Sequence, residues 1–140
     1  MTESLTQRLL VDADVIILGE RGLFDLPSWL EVQPDNAPHI AAITVAELWH
    51  GVLRATGSQR RRRENYLKMI FEMLPVLPYT EVTAIEHARI WAELESSGKM
   101  IGYHDLIVAA TALESGRAVA TFNQRHFSQV RGLNVIKPKV

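Results

Sequence analysis

Apolar residues along this chain fall into short runs and into helical repeats, and the two patterns alternate. The run from Arg8 to Asp12 is too short for a helix, is apolar at its centre and ends in an acid, which is typical of a strand inside a sheet. Similar runs predict five strands, at residues 8–12, 39–43, 76–79, 118–121 and 133–137.

Between the predicted strands, apolar residues recur at helical spacing. Thr44 is predicted to cap a helix that stops at Gly57, and Ser58 is predicted to cap the next one. The predicted helices cover residues 15–18 (helix or turn), 27–31, 44–56, 58–74, 81–97 and 104–115. Strands that alternate with helices predict an α/β sandwich, with a mainly parallel central sheet of about five strands flanked by helices.

Length and composition limit the class of protein. A chain of 140 residues, 47% hydrophobic and 22% charged, is expected to form one domain over residues 1–140, with residues 1–8 as a mobile tail. The longest apolar run, Leu106 to Ala110, is five residues, whereas a membrane helix needs ~20. The absence of cysteine excludes disulfides and thiolate metal sites, and fits a cytoplasmic protein.

Three acids lie where strands give way to helices. Asp12 ends the first strand, Glu47 follows the second, and Asp105 lies in the first turn of an apolar helix. The carboxyl ends of parallel strands share one edge of a sheet, so acids far apart in sequence are expected to meet there. Clustered carboxylates repel one another unless a cation lies between them. The pattern therefore predicts a metal site.

Each acid taken singly also has a structural interpretation. Thr44 and Glu47 have the spacing of a capping box, and Asp105 would complement the dipole of its helix. Asp14 is expected to cap the helix after the first strand, or to turn toward the site if the strand geometry continues for two residues. Asp12 fits a purely structural role least, because an unpaired charge at the end of a central strand is costly to bury.

The ligand types indicate which metal the acids would hold. Oxygen ligands without Cys or His suit Mg²⁺ or Mn²⁺ rather than zinc. One ion or a pair would neutralise charge on a phosphoryl group and lower the pKa of bound water, which indicates phosphodiester chemistry. Thr121 and Asn123 follow the fourth strand at the same edge, where they either join the site or form a turn. His104, beside Asp105, either assists the chemistry or is structural.

At these residues the chain resembles the PIN-domain ribonucleases, and within them the VapC-type toxins of bacterial toxin–antitoxin pairs. The order and spacing of the matching segments agree over roughly residues 9–137, nearly the whole chain. The segments are LLVDADVI (9–16), TVAELWHG (44–51), IGYHDLIVAATA (101–112) and TFNQRHF (121–127).

The resemblance implies a Mg²⁺- or Mn²⁺-dependent endoribonuclease that inhibits translation by cutting tRNA or rRNA. It makes Asp12, Glu47 and Asp105 the catalytic metal ligands. Asn123 stands where many relatives carry a further Asp, so this position brings an oxygen but no charge to a second ion. The resemblance also implies a homodimer and a small antitoxin, whose C-terminal segment enters the active-site groove.

Positive charge is concentrated in one predicted helix. The formal net charge is −1, but with Asp12, Asp14, Glu47 and Asp105 set aside 15 basic residues face 12 acids, a net charge of +3. The basic side chains either contact an RNA backbone or form a solvated helix face. The candidates are Arg60, Arg61, Arg62 and Arg63, with Arg54 and Arg125 in addition.

Two alternatives to a nuclease follow from the same residues. A phospho-accepting receiver domain also has acids after its first strand, and the segment Lys137-Pro138 is similar to one near the end of receivers. Against it, the second strand runs into Thr44 without an Asp to accept phosphate. The other alternative is a PIN-like module that binds RNA or protein without catalysis, which the complete set of acids disfavours.

Overall fold

The computed structural model describes residues 7–33 and 37–139, and this part of the chain contains five short strands and seven helices. Most of the predicted N-terminal tail, residues 1–6, lies outside the described residues. The strands are β1 (Leu9–Val11), β2 (Ile40–Ala41), β3 (Val76–Leu77), β4 (Ala118–Ala120) and β5 (Val135–Ile136).

The strands form a parallel sheet with β1 in the middle. β4 pairs with β1 on one side and with β5 on the other, and β2 pairs with β3. A parallel bridge between Leu10 and His39 joins β1 to the β2–β3 pair. All these pairings are parallel, so the predicted α/β sandwich with a parallel central sheet is confirmed.

Helices cover both faces of the sheet. Successive residues of β1 point to opposite faces, so neighbouring residues pack in different apolar clusters. Val11 packs in one apolar cluster with Ile16, and Leu10 packs in another with Ile90 and Val108. The helices are α1 (Ala13–Glu20), α2 (Leu26–Glu31), α3 (Ala42–Arg54), α4 (Gly57–Met73), α5 (Glu81–Ser96), α6 (Tyr103–Glu114) and α7 (Gln124–Phe127). Within the described residues, none of them is long and apolar enough to cross a bilayer.

The start of α3 differs from the prediction. β2 ends at Ala41, which is also the N-cap of α3, so Thr44 lies inside the first turn and Glu47 in the second. The predicted capping box of Thr44 and Glu47 is therefore wrong, and no side chain caps this helix. The apolar residues Ala42 and Ile43 fit a strand and a buried helix equally well. The predicted strand therefore extended two residues too far, and the predicted helix began two residues too late.

Other helix starts also differ. Asp12, not Asp14, caps α1, so α1 begins two residues earlier than predicted. Thr56 is the N-cap of α4 in place of Ser58, and Gly57 opens that helix with a φ of +60°, a value that glycine adopts without strain. The short helix α7 was not predicted.

Candidate active site

Asp12 is the most buried of the acids. It follows β1, is 5% exposed, and caps α1 by accepting the backbone N–H of Ala13 at 2.8 Å. The hydroxyl of Thr121, which follows β4, donates to the other carboxylate oxygen at 2.9 Å. Burial, together with the nearby charges of Asp14 and Asp105, raises the pKa of Asp12 to about 7. Because burial and neighbouring negative charges disfavour the ionised form of Asp12, a cation close to its carboxylate would stabilise that form.

Asp14 turns toward the same point. Its carboxylate accepts the backbone N–H of Phe122 at 3.1 Å and lies 3.3 Å from the Thr121 hydroxyl. Burial is the main cause that raises the pKa of Asp14, and the charge of Asp105 adds to it. The interpretation of Asp14 as a helix cap is wrong; it lies with Asp12 beside the end of β4.

Glu47 reaches the cluster from α3. Its Oε2 lies 3.2 Å from Nδ1 of His104, at the start of α6. Burial raises the pKa of Glu47 most, the neighbouring charge of Asp105 raises it as well, and His104 opposes both. His104 therefore contacts an acid of the cluster.

Asp105 is held by a histidine that the sequence did not single out. Its Oδ2 lies 3.0 Å from Nδ1 of His126, and the same ring nitrogen lies 3.0 Å from the amide nitrogen of Asn123. Because an ionised carboxylate only accepts hydrogen bonds, the ring nitrogen donates to Asp105. Asn123 was expected at the site, and His126 follows it three residues later. Residues at this spacing are neighbours in a helical turn, so the spacing would have placed His126 at the site as well. That signal was missed because α7 is only four residues long.

The four carboxylates therefore lie close enough for their charges to interact, at the carboxyl edge of the sheet. The charge of Asp105 raises the pKa of Asp12, Asp14 and Glu47 alike, although the four residues come from three segments of the chain. No three His, Asp or Glu side chains within the described residues enclose one ion, and Glu47 and Asp105 contact histidines instead. The possible ligands are mostly carboxylate oxygens whose negative charges repel one another. Such a set of ligands fits a hard divalent cation.

The predicted supporting residues do not share one environment. Thr121 contacts the acids, whereas Thr44 is fully buried and, among the described residues, its hydroxyl has no hydrogen-bond partner. Arg63 is half-buried in α4, pairs with Glu20 at 3.5 Å and donates to the Gly51 carbonyl at 3.4 Å. The other predicted arginines are exposed: Arg54, Arg60, Arg61, Arg62 and Arg125.

A known protein family matches most of this chain. The family model of the PIN domain matches residues 9–133 of the sequence. The chain belongs to the PIN-domain family. This membership rules out the receiver-domain alternative and agrees with the resemblance found in the sequence.

Individual PIN-domain relatives cover most of the chain. It is 35% identical over 116 residues to VapC ribonuclease Y4jK of Sinorhizobium fredii, covering 79% of this chain and 81% of that protein. It is 29% identical to ribonuclease VapC1 of Rickettsia felis, covering 91% and 94%. The solved structure of VapBC-5 from Mycobacterium tuberculosis, a member of the VapBC family of toxin–antitoxin systems, matches with a TM-score of 0.73 and 25% identity, covering 96% of this chain and 99% of that one.

Proposed function

We propose that this PIN domain is an endoribonuclease that acts as a translation-inhibiting toxin. The observation that carries the proposal is the convergence of Asp12, Glu47 and Asp105 at one sheet edge, in a chain similar to VapC ribonucleases. A module without catalysis would not need to place the charge of Asp105 where it raises the pKa of Asp12 and Glu47, because a raised carboxylate pKa costs stability at neutral pH.

The acids would hold Mg²⁺ or Mn²⁺ through Asp12, Glu47 and Asp105, with Asp14 and Asn123 as supporting ligands. When bound, such an ion stabilises charge on the phosphoryl group and activates water. The chain's own contribution is to orient the carboxylates. Thr121 fixes Asp12 through its hydroxyl, as His126 fixes Asp105.

The substrate is single-stranded or loop RNA, either tRNA or rRNA, in the cytoplasm. RNA-backbone contact is supported by the exposure of Arg60, Arg61 and Arg62 on α4, because an exposed guanidinium is available to phosphates. Arg54 and Arg125 are exposed as well. Arg63 is engaged with Glu20, so we assign it a mainly structural role.

The protein partners are a second copy of the chain and a small antitoxin. The dimer is supported by exposed apolar side chains on α5, where Val82 is 63% and Ile85 65% exposed. The antitoxin is supported by the toxin–antitoxin structure that the fold matches. A cleft of about 170 Å³ that includes Glu47 and is otherwise mainly apolar gives its C-terminal segment a place beside the acids.

Removal of divalent ions tests the proposal. Purified protein is incubated with total RNA in Mg²⁺ or Mn²⁺, and cleavage is followed by gel electrophoresis. EDTA should abolish cleavage, because the repelling carboxylates can no longer orient the substrate phosphate. EDTA that has been saturated with Mg²⁺ beforehand is the matched control and should leave cleavage unchanged. Cleavage that persists in excess free EDTA would contradict the proposal.

A further inference from the structure

A cleft with aromatic walls lies between α2 and the residues that follow β5. Its volume is about 540 Å³, within the range of ~300–1,000 Å³ typical of small-molecule sites. Apolar side chains form most of its surface, and two lysines lie at its rim. Its main lining residues are Phe24, Trp29, Ile136, Lys137, Pro138 and Lys139.

One pair of residues separates the cleft from the acid cluster. The ring of Phe24 packs edge-on against Phe122, with 5.4 Å between the ring centroids. The backbone N–H of Phe122 donates to Asp14, and the backbone N–H of Thr121 donates to the carbonyl of Ile136 at 3.0 Å. One residue pair, Thr121 and Phe122, therefore contacts the acids on one side and adjoins the cleft on the other.

The chemistry of the cleft matches a nucleotide. Trp29 is half-buried, so its position is fixed by packing while part of its surface stays accessible. Lys137 and Lys139 are exposed, and neither makes an ion pair within the described residues. The one acid in the wall, Asp25, is turned toward Ser28, from which it accepts two hydrogen bonds. Stacking on an aromatic ring binds bases regardless of sequence, and lysines bind the phosphates.

We propose that this cleft binds one nucleotide of the RNA strand next to the bond that is cut. Trp29 stacks on the base, and Lys137 and Lys139 contact the flanking phosphates. This inference rests on the proposed ribonuclease function and assigns the Lys137-Pro138-Lys139 segment a role in substrate binding.

Binding to a catalytically disabled protein tests the cleft separately from cleavage. All variants are made in an Asp105→Asn background, and the probe is a fluorescein-labelled oligouridylate of about eight nucleotides, a length typical of single-strand sites. Affinity is measured by anisotropy over a range of salt concentrations. Lys137→Gln with Lys139→Gln should reduce the slope of log K against log salt by about 1.4, because each phosphate contact on a single strand contributes ~0.7. Trp29→Leu should weaken binding about 10-fold.

The matched control removes the same charge elsewhere. Lys99→Gln with Arg131→Gln changes two exposed basic residues that do not line the cleft and should leave the slope unchanged. A parent protein that does not bind the probe would overturn the inference, as would an equal slope change in both double variants or unchanged binding by a folded Trp29→Leu protein. If the wild type cuts RNA while the cleft variants bind normally, only the cleft assignment fails. If the cleft variants lose binding as expected but the wild type cuts no RNA, the cleft is an RNA-binding site but the ribonuclease proposal fails.

Discussion

Asp12 performs two tasks at one position. Its first carboxylate oxygen caps α1, and its second accepts the Thr121 hydroxyl and faces the other acids. The cap is worth about 1 kcal/mol, yet burial and the charges of Asp14 and Asp105 raise the pKa of this side chain to about 7. The folded chain therefore tolerates a residue that costs stability in its ionised form, as is common at functional sites.

This cost makes stability depend on pH in an identifiable direction. The pKa of Asp12 rises from 3.8 to about 7 on folding, so between these values the folded state holds a proton that the unfolded state has released. Stability therefore falls as the pH rises through this range. Asp12→Asn keeps a capping oxygen and should raise the free energy of unfolding on the order of 2 kcal/mol near pH 7.5, and much less near pH 5.

The measurement is denaturant unfolding of both proteins in EDTA at the two pH values, so that no divalent ion contributes. The difference between Asp12→Asn and the wild type is the quantity compared. A difference that is the same at both pH values would show that Asp12 has an ordinary pKa in the folded protein.

At the scale of elements, a glycine of α1 faces a tyrosine of α4. Gly19 lies in α1, and a Cβ there would overlap the hydroxyl of Tyr66 in α4 and lie 3.0 Å from Cβ of Leu26. The hydroxyl has no hydrogen-bond partner among the described residues, and burial raises its pKa to about 12. At this contact, close packing rather than a hydrogen bond joins α4 to α1, and the ion pair of Arg63 with Glu20 links the same two helices.

Gly19→Ala should destabilise the protein by about 1–3 kcal/mol, because the added methyl overpacks this contact. Tyr66→Phe should cost little and should remove most of that penalty in the double variant, since the hydroxyl is the closest obstacle. Gly51→Ala is the matched control. It lies inside α3 with nothing within 4 Å of its new Cβ, and should stabilise the protein by about 0.5–1 kcal/mol. Thermal unfolding measures the stability of the three single variants and the double variant. If the effects of Gly19→Ala and Tyr66→Phe were fully additive in the double variant, the steric explanation would be refuted.

The sequence predicted elements where only one pattern fitted. The five strands were predicted because each apolar run was short and bounded by polar or turn residues. The start of α3 was not, because Ala42 and Ile43 suit a strand and a buried helix equally. The meeting of the acids followed from the topology of a parallel sheet, whereas the contact of His126 with Asp105 depends on α7, which is too short to show a period.

For the whole molecule, the acids and the exposed apolar surface lie on neighbouring elements. α6 carries Asp105 near its start, and Tyr103, two residues earlier, is 66% exposed. α5 packs on α6 and exposes Val82 and Ile85. This exposed apolar surface of α5 is where a second copy of the chain is expected to pack.

Ile85→Glu tests that arrangement. The side chain is 65% exposed, so the folded monomer should lose less than about 0.5 kcal/mol, while a buried, unpaired charge should weaken an apolar dimer interface by at least about 10-fold. Sedimentation equilibrium measures the change, with Glu95→Gln on the same helix as the control. A wild type that is monomeric at every concentration would contradict the predicted dimer.

The most direct test of the account is the rate of RNA cleavage by Asp105→Asn. This change keeps the shape of the side chain and removes the charge that raises the pKa of Asp12, Asp14 and Glu47. Glu95→Gln removes the same charge from an exposed position on α5. With Mn²⁺ and one defined RNA, Asp105→Asn should be slower by about 100-fold or more, and Glu95→Gln should stay within about twofold of the wild type. Equal rates for Asp105→Asn and the wild type would show that these acids are not the site of RNA cleavage.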